Sequence, residues 1–301
     1  MLCDTEARPA RVELGVRVVK YQPAYAPIWN GFLATASNAT FLFHRDFLEY
    51  HSDRFVDCSL LVFDGEELTA LLPANLSAGG LVSHGGLTYG GLVVRSGAGL
   101  EEIARSFRDV LAWCAASGIA TLDYRRVPRI YARLPDDEMD YLLFLVGARL
   151  YRRDLSAAVE RGPNALPYRK DRRSSVSTAV RRGCRIEPSQ CFAAFWNNVL
   201  TPTLEARHGA KPVHSLEEIA LLAERFPANI KQFNAIHNGE VVAGATMFVT
   251  ERVAHTQYLA VTEEGRRLRA LDLLIDHLLR NEFAGLRYFD FGTSNEQGGR
   301  V

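Results

Sequence analysis

The chain has 301 residues, 48% of them hydrophobic and 23% charged, with 35 basic side chains balanced by 35 acidic ones. That length is too great for one ordinary core and suits two domains of about 150 residues each, while a net charge of zero gives no global electrostatic case for nucleic acid or an anionic membrane. Five scattered cysteines without CxxC spacing support neither a zinc site nor a disulfide framework; no run of about 18 apolar residues is present to span a bilayer, and the charged start MLCDTEARPARVELG lacks the apolar core of a signal peptide, so a cytoplasmic, metal-free protein is expected.

Residues 24–55 carry helical apolar patterns, with Trp29 as a core residue. Residues 59–65 (SLLVFDG) and 66–75 (EELTALLPAN) read as a hairpin about Asp64-Gly65. The stretch 79–91 (GGLVSHGGLTYGG) has no GK[ST] and is no Walker A loop. Its glycines allow a backbone to approach a ligand closely, so His84 and Tyr89 within it are candidate acceptor-binding residues in a groove between domains. A helix follows with Leu100, Ile103, Phe107, Leu111 and Ala115 at helical spacing and Trp113 in its core, ending near Gly118; IATLDYRRV then reads as a strand.

The segment 125–185 holds fifteen Lys and Arg against seven Asp and Glu. It reads either as a solvated linker and helix face or as a patch for substrate phosphates, with Arg172 and Arg173 at its centre. Helical material recurs at 189–206, with Trp196 in the core, and at 215–225. Ser215 with Glu218 three residues on forms a capping-box signature. His214, just ahead of it, is either a helix-entry residue or a substrate contact. Residues 230–250 are two strands about Asn238-Gly239, and 253–262 (VAHTQYLAVT) is a third strand. TEEGRR is a polar turn, RALDLLIDHLLRNEFAG an amphipathic helix, and LRYFDFGTS a last strand. Hairpin, strand, loop, helix, strand therefore occurs in both halves, which divide as 1–165 and 166–301. The expected class is α/β (α+β), each half a mixed, largely antiparallel sheet flanked by helices.

Antiparallel strands followed by loop, helix and strand give the core order of the GNAT acyl-CoA transferase fold. The strand before the helix offers backbone groups to an acyl chain and pantetheine, and the helix start presents N–H groups to a pyrophosphate. The segments YRKDRRSSVSTAVRRG, AHTQYLAV, EEGRRLRALDLLIDHL and YFDFGTSNEQGGR, with HRDFLEYHSDRF and SHGGLTYGGLVV in the first half, resemble the FemAB-like acetyltransferases, which are double-GNAT proteins often tied to cell-envelope polysaccharide or peptidoglycan assembly. The resemblance implies two tandem GNAT-like domains, the first on the acceptor side. It also implies transfer of an acyl group from acetyl-CoA or another acyl-CoA to an amine of a sugar, nucleotide sugar or envelope precursor. The fuller Fem transferases draw instead on aminoacyl-tRNA; a binding protein that has kept the fold without catalysis is a third reading.

On this resemblance Leu259, Val261, Gly265, Arg266, Arg267 and Arg269 are the candidate donor-binding residues. The usual pyrophosphate loop has the form Q/R-x-x-G-x-G/A; here Arg269 stands for the glycine and Leu271 for the last small residue. Arginine denies the backbone approach that glycine allows but offers charge to a phosphate. The family pattern continues past the last strand into a helix and strand that often supply a tyrosine for the leaving thiolate. An amine nucleophile must be neutral, so a base is needed. His255 is the first candidate, alternating with Gln257 on one strand face opposite Thr256 and Tyr258. Tyr258 is a candidate proton donor, Asp290 and Glu296 are candidate acid–base carboxylates at the end of the last strand, and Gln257 and Asn295 are candidate substrate contacts. Each of the histidine, the tyrosine and Asp290 equally reads as a packed or turn-capping residue. DFG at 290–292 is no kinase motif, since neither VAIK nor HRDxxxxN accompanies it.

Overall fold

The computed structural model describes residues 16–78, 80–134, 136–162 and 169–294. The chain divides into two compact units, 1–148 and 149–301. The division falls upstream of the 165/166 boundary read from the sequence, because residues 155–160 form a strand of the second unit's sheet.

In the first unit the strands are β1 (Val16–Lys20), β2 (Val56–Asp57), β3 (Leu60–Asp64), β4 (Glu67–Leu72), β5 (Asn75–Ser77), β6 (Gly80–Val82), β7 (Val93–Val94) and β8 (Leu122–Asp123). Its helices include α1 (Ala26–Thr35), α2 (Arg45–Leu48), α3 (Leu100–Ala116) and α4 (Glu138–Leu145). Two four-stranded sheets run β1-β3-β4-β7 and β2-β5-β6-β8, antiparallel except for the parallel pair β6–β8. The β3–β4 hairpin forms at the predicted place, with Asp64 opposite Glu67 and Gly65 at a φ of 61°. Ile103, Phe107, Val110 and Cys114 of α3 bury their face against Leu60, Val62, Ala70 and Leu72. Each large aliphatic so buried contributes about 1.5–3 kcal/mol. The expected strand 119–127 shrinks to the two residues of β8.

In the second unit the strands are β9 (Leu155–Glu160), β10 (Arg185–Ser189), β11 (Ile230–His237), β12 (Glu240–Val249), β13 (Val253–Val261) and β14 (Tyr288–Ser294). Its helices are α5 (Lys170–Arg181), α6 (Ala193–Phe195), α7 (Thr201–His208), α8 (Leu216–Arg225), α9 (Glu263–Leu268) and α10 (Ala270–His277). A π turn, Trp196–Leu200, joins α6 to α7, and another, Leu278–Glu282, extends α10. One six-stranded sheet runs β10-β11-β12-β13-β14-β9 with a single parallel pair, β13–β14. Asn238 and Gly239 both take positive φ, 50° and 85°, between the paired His237 and Glu240, the geometry of a type I′ turn.

One face of this sheet is packed by α10 and α5: Ala270, Leu274, Leu278 and Ala179 meet Phe233, Ala245, Met247, Ala254 and Phe289. The other face carries α6 and its π turn. Gly244 admits Phe195 there, since a Cβ at that position would lie 2.3 Å from the ring. TEEGRR is not a turn, as expected from its polarity, but the helix α9, because Thr262 caps it by accepting from the Gly265 N–H at 3.0 Å.

Candidate active site in the second unit

The parallel ladder between β13 and β14 is short. Val253, Ala254 and His255 pair with Tyr288, Phe289 and Asp290, and among the described residues the pairing stops there. From Thr256 to Val261 the strand has, among the described residues, a partner on the β12 side only, so its other edge presents backbone groups that no described strand pairs with. A strand edge of this kind is where an extended ligand adds main-chain hydrogen bonds. The next segment is α9, then Arg269, then α10, whose first N–H groups lie at Ala270 to Asp272 and have no acceptor within the helix.

A β-bulge in β13 sets the side-chain directions. Thr246 of β12 pairs with Tyr258 and Met247 pairs with Thr256, leaving Gln257 as the inserted residue. The expected alternation, His255 with Gln257 and opposite Tyr258, is therefore overturned. Across the bulge His255 and Tyr258 share the sheet face of Phe248, while Thr256, Leu259 and Val261 share the face that packs on α10.

At the mouth of the opening His255 Nδ1 donates to Asp290 Oδ2 at 3.0 Å. Both side chains are mostly buried, with 14% and 5% exposed. Asp290 Oδ1 accepts from the Gly292 N–H at 2.9 Å and from Ser156 Oγ at 2.7 Å. The carboxylate is thus held from three sides, and with its Nδ1 proton committed to Asp290 the imidazole offers a lone pair at Nε2. Gly292, at a φ of 83°, comes close enough that a Cβ there would sit 3.2 Å from His255 Cε1, so β14 can turn only with glycine at this point. A histidine oriented by a carboxylate in this way is equipped to take a proton.

Tyr258 sits deeper. Its Oη accepts from the His214 N–H at 3.1 Å and gives its proton to His214 Nδ1 at 2.6 Å, while the Trp196 ring meets it edge-on at 5.0 Å. Burial raises its pKa, against hydrogen bonds from the His214 backbone and the Gln257 side chain that lower it. His214 is thereby both a helix-entry residue and a partner of Tyr258: Ser215 and Glu218 complete the predicted capping box at 3.1 and 2.9 Å. Alongside runs a buried polar row that the sequence reading missed. Thr246 Oγ1 donates to Gln232 Oε1 at 2.6 Å, and Gln232 Nε2 donates to Asn234 Oδ1 at 2.7 Å.

The donor-binding candidates divide. Val261 is buried in the α10 core and Leu259 packs against it, so only their backbone edge faces the opening. Gly265 is buried because a Cβ would lie 2.3 Å from the Val242 carbonyl oxygen. Arg266 pairs with Glu263 at 3.0 Å, and the Arg267 carbonyl accepts from Arg182. Arg269 takes the left-handed conformation, φ 65° and ψ 27°, between α9 and α10, so the position wants glycine's backbone geometry although it holds arginine. Arg172 is committed to Asp272 at 2.7 Å; Arg173 is exposed on α5. Asn295 and Glu296 lie outside the described residues. Ser156 was missed because it lies on β9, inside a stretch that read as basic linker.

His84 and Tyr89, expected in an open groove, are buried in the first unit, with 3% and 4% exposed. Tyr89 Oη donates to Thr40 Oγ1 at 3.1 Å, and His84 Nδ1 accepts from the Gly86 N–H at 3.2 Å and stacks on His51. Burial, reinforced by His51, lowers the His84 pKa to about 4. The glycines around them admit other protein groups: a Cβ on Gly90 would fall 1.7 Å from the Ser83 carbonyl oxygen, and one on Gly86 2.3 Å from His51. Among the described residues no group of His, Cys, Asp and Glu could hold a metal ion.

The sequence matches the family model of the acetyltransferase (GNAT) domain over residues 169–297. No curated protein matches it by sequence. Among solved structures, FemX is similar at a TM-score of 0.65 and 10% identity, over 94% of this chain and 90% of that one. L-PGS from Bacillus licheniformis is similar at 0.59 and 16%, over 93% and 78%, and a conserved protein of unknown function from Bacteroides thetaiotaomicron at 0.54 and 9%, over 92% and 90%. At such identities the likeness is one of fold. Residues 169–297 thus match the acetyltransferase (GNAT) domain, and the chain shares its fold with FemX.

Proposed function

We propose that the second unit transfers an acyl group from acetyl-CoA or another acyl-CoA to an amine of a sugar, nucleotide sugar or similar envelope precursor. The observation that carries this reading is the parting of β13 from β14 immediately beyond the His255–Asp290 pair. The pantetheine and acyl carbonyl would lie along the free edge of β13, polarised by backbone N–H groups. The pyrophosphate would meet the start of α10, with Arg266 and Arg269 supplying charge. His255, held by Asp290 and Ser156, takes the proton of the attacking amine at Nε2, and the amine attacks the thioester directly. Tyr258, on the same sheet face, is the candidate donor to the departing thiolate, its hydroxyl kept protonated by burial. In this reading the first unit is a GNAT-like domain without catalysis.

Isothermal titration with acetyl-CoA and CoA is the first test, followed by turnover on a panel of amino sugars. Micromolar binding that falls in Arg266→Ala and Arg269→Ala supports the reading; a folded protein that neither binds CoA nor turns over acyl-CoA sinks it. One observation favours aminoacyl-tRNA as donor instead: arginine fills the glycine position of the loop, beside the exposed basic face of α5 with Lys170, Arg173 and Arg181. Filter binding of tRNA at two salt concentrations separates the two, since phosphate contacts weaken steeply with salt.

A further inference from the structure

The capping box at the start of α8 asks little of His214. Ser215 and Glu218 make its two hydrogen bonds, and the residue just ahead of such a cap is ordinarily an apolar one that packs back on the helix. Here that place holds a histidine, 5% exposed, whose carbonyl accepts from Trp196 Nε1 at 3.4 Å. Its backbone N–H and its ring Nδ1 both converge on one atom, the Tyr258 hydroxyl oxygen, at 3.1 and 2.6 Å. The ring also meets Phe248 edge-on at 6.2 Å, and Phe248 pairs across the strands with His255. Both histidines therefore border the same aromatic side chain.

A phenol oxygen has one proton to give and two lone pairs to offer. While Nδ1 is bare, the Tyr258 proton is spent on it and the hydroxyl has none for a ligand. With the proton on Nδ1 and Nε2 bare, the oxygen accepts two N–H bonds from His214, and its own proton is released to point elsewhere. Two such donors also stabilise the phenolate left when that proton departs, against the burial that disfavours it.

We infer that His214 is the positioning residue for the acid half of the transfer, turning Tyr258 from a bound phenol into a proton donor by the tautomer its ring adopts, a role that rests on the acyl-transfer reading of this site. The amine nitrogen bonds to the acyl carbon, and its proton passes to His255 Nε2. The C–S bond breaks, its electron pair stays on sulfur, and sulfur takes the Tyr258 proton. The phenolate, held by the two N–H groups of His214, regains a proton from solvent, to which His255 gives up the one it took.

Nitrogen-15 NMR of the full chain labelled at histidine reads the tautomer directly, with His214→Asn assigning the ring. The free protein is expected in the Nε2–H form and the acetyl-CoA complex in the Nδ1–H form; a ring that stays Nε2–H with acetyl-CoA bound overturns the inference. Steady-state kinetics use the amine turned over fastest among the amino sugars. His214→Leu is expected to lower kcat about thirtyfold, the worth of one hydrogen bond to a developing charge, with KM for acetyl-CoA unchanged. His214→Asn, which can present an amide N–H where Nδ1–H stands, is expected to keep most of the wild-type kcat. In a Tyr258→Phe background His214→Leu should cost nothing further. A loss of the same size in His214→Asn or in that background marks a merely structural role and overturns the inference. Wild-type turnover with His214→Leu unimpaired overturns it alone; a folded wild-type chain that neither binds acetyl-CoA nor acylates an amine overturns the acyl-transfer reading as well.

Discussion

Both units contain a strand, a helix and a returning strand in the same order, yet they treat the space between the two strands in opposite ways. In the second unit β13 and β14 pair for three residues and then part, with His255 and Asp290 at the branch point. In the first unit β7 and β8 do not pair with each other at all. β7 lies on β4 and β8 on β6, and the chain from Leu81 to Leu92 fills the interval. Leu81 and Ser83 donate to the carbonyls of Thr121 and Asp123 at 2.9 and 3.0 Å, Gly90 donates to that of Arg125 at 3.2 Å, and the Tyr124 hydroxyl accepts from Leu92 at 2.8 Å. Backbone groups left without a strand partner among the described residues of one unit are consumed by the protein itself in the other. The histidines follow suit: His255 is held by a carboxylate at an opening, whereas His84 lies among His51, Phe55 and backbone. The same order of elements thus leaves, among the described residues, an unfilled strand edge in the second unit and a filled one in the first.

The change expected to break this contrast most completely is His255→Gln, or Asp290→Asn. Either should lower kcat/KM for acyl transfer by about a hundredfold or more while leaving acetyl-CoA affinity and the melting temperature nearly unchanged, which steady-state kinetics beside titration will check. Gly90→Ala addresses the filled interval of the first unit. With 1.7 Å to the Ser83 carbonyl oxygen, the chain must shift, and a loss of ~3 kcal/mol in urea denaturation is expected, in the upper range for overpacking.

His84 gives a pH signature of the same interval. Its folded pKa of about 4 lies below the ordinary histidine value of 6.5, so the unfolded chain binds more protons between those values. Stability is therefore complete above about pH 6.5 and declines as pH falls toward 4, by about 3 kcal/mol for this group. His84→Gln should flatten that part of a urea-midpoint against pH curve; an unchanged slope would assign the loss to other groups. The smallest effect is expected from Arg269→Gly. Relief of the left-handed conformation and the added freedom of glycine nearly cancel, so stability should move by less than about 1 kcal/mol. Any fall in acetyl-CoA affinity then reports the charge of Arg269 alone.

Where the amino-acid pattern is local and repetitive, it led to the structure directly. Asn238-Gly239 and Asp64-Gly65 mark hairpins, Ser215 and Glu218 cap α8, and the apolar stripes of α3 and α10 face their sheets. These depend on backbone preference and helical period, which neighbours in sequence carry by themselves. His255 and Asp290 were also legible as candidates, because histidine and aspartate near the ends of adjacent strands are unusual in apolar runs.

What the sequence could not carry is whatever depends on a partner distant along the chain. Ser156 reaches Asp290 across 134 positions, and Tyr258 meets His214 only because one inserted residue turns the strand over. A strand's alternation predicts faces only while every residue is paired, and a bulge shows itself through the partner strand. The glycine run at 79–91 illustrates the same limit, since composition declares that something comes close to the backbone but not whether it is a ligand or the protein's own chain. The sequence by itself thus determined the elements, their order and the resemblance of residues 169–297 to a GNAT domain, because those rest on local periodicity and short motifs. Only the tertiary structure decided which strand edge stays open and which side chains meet there, because both depend on how far two strands pair before they part.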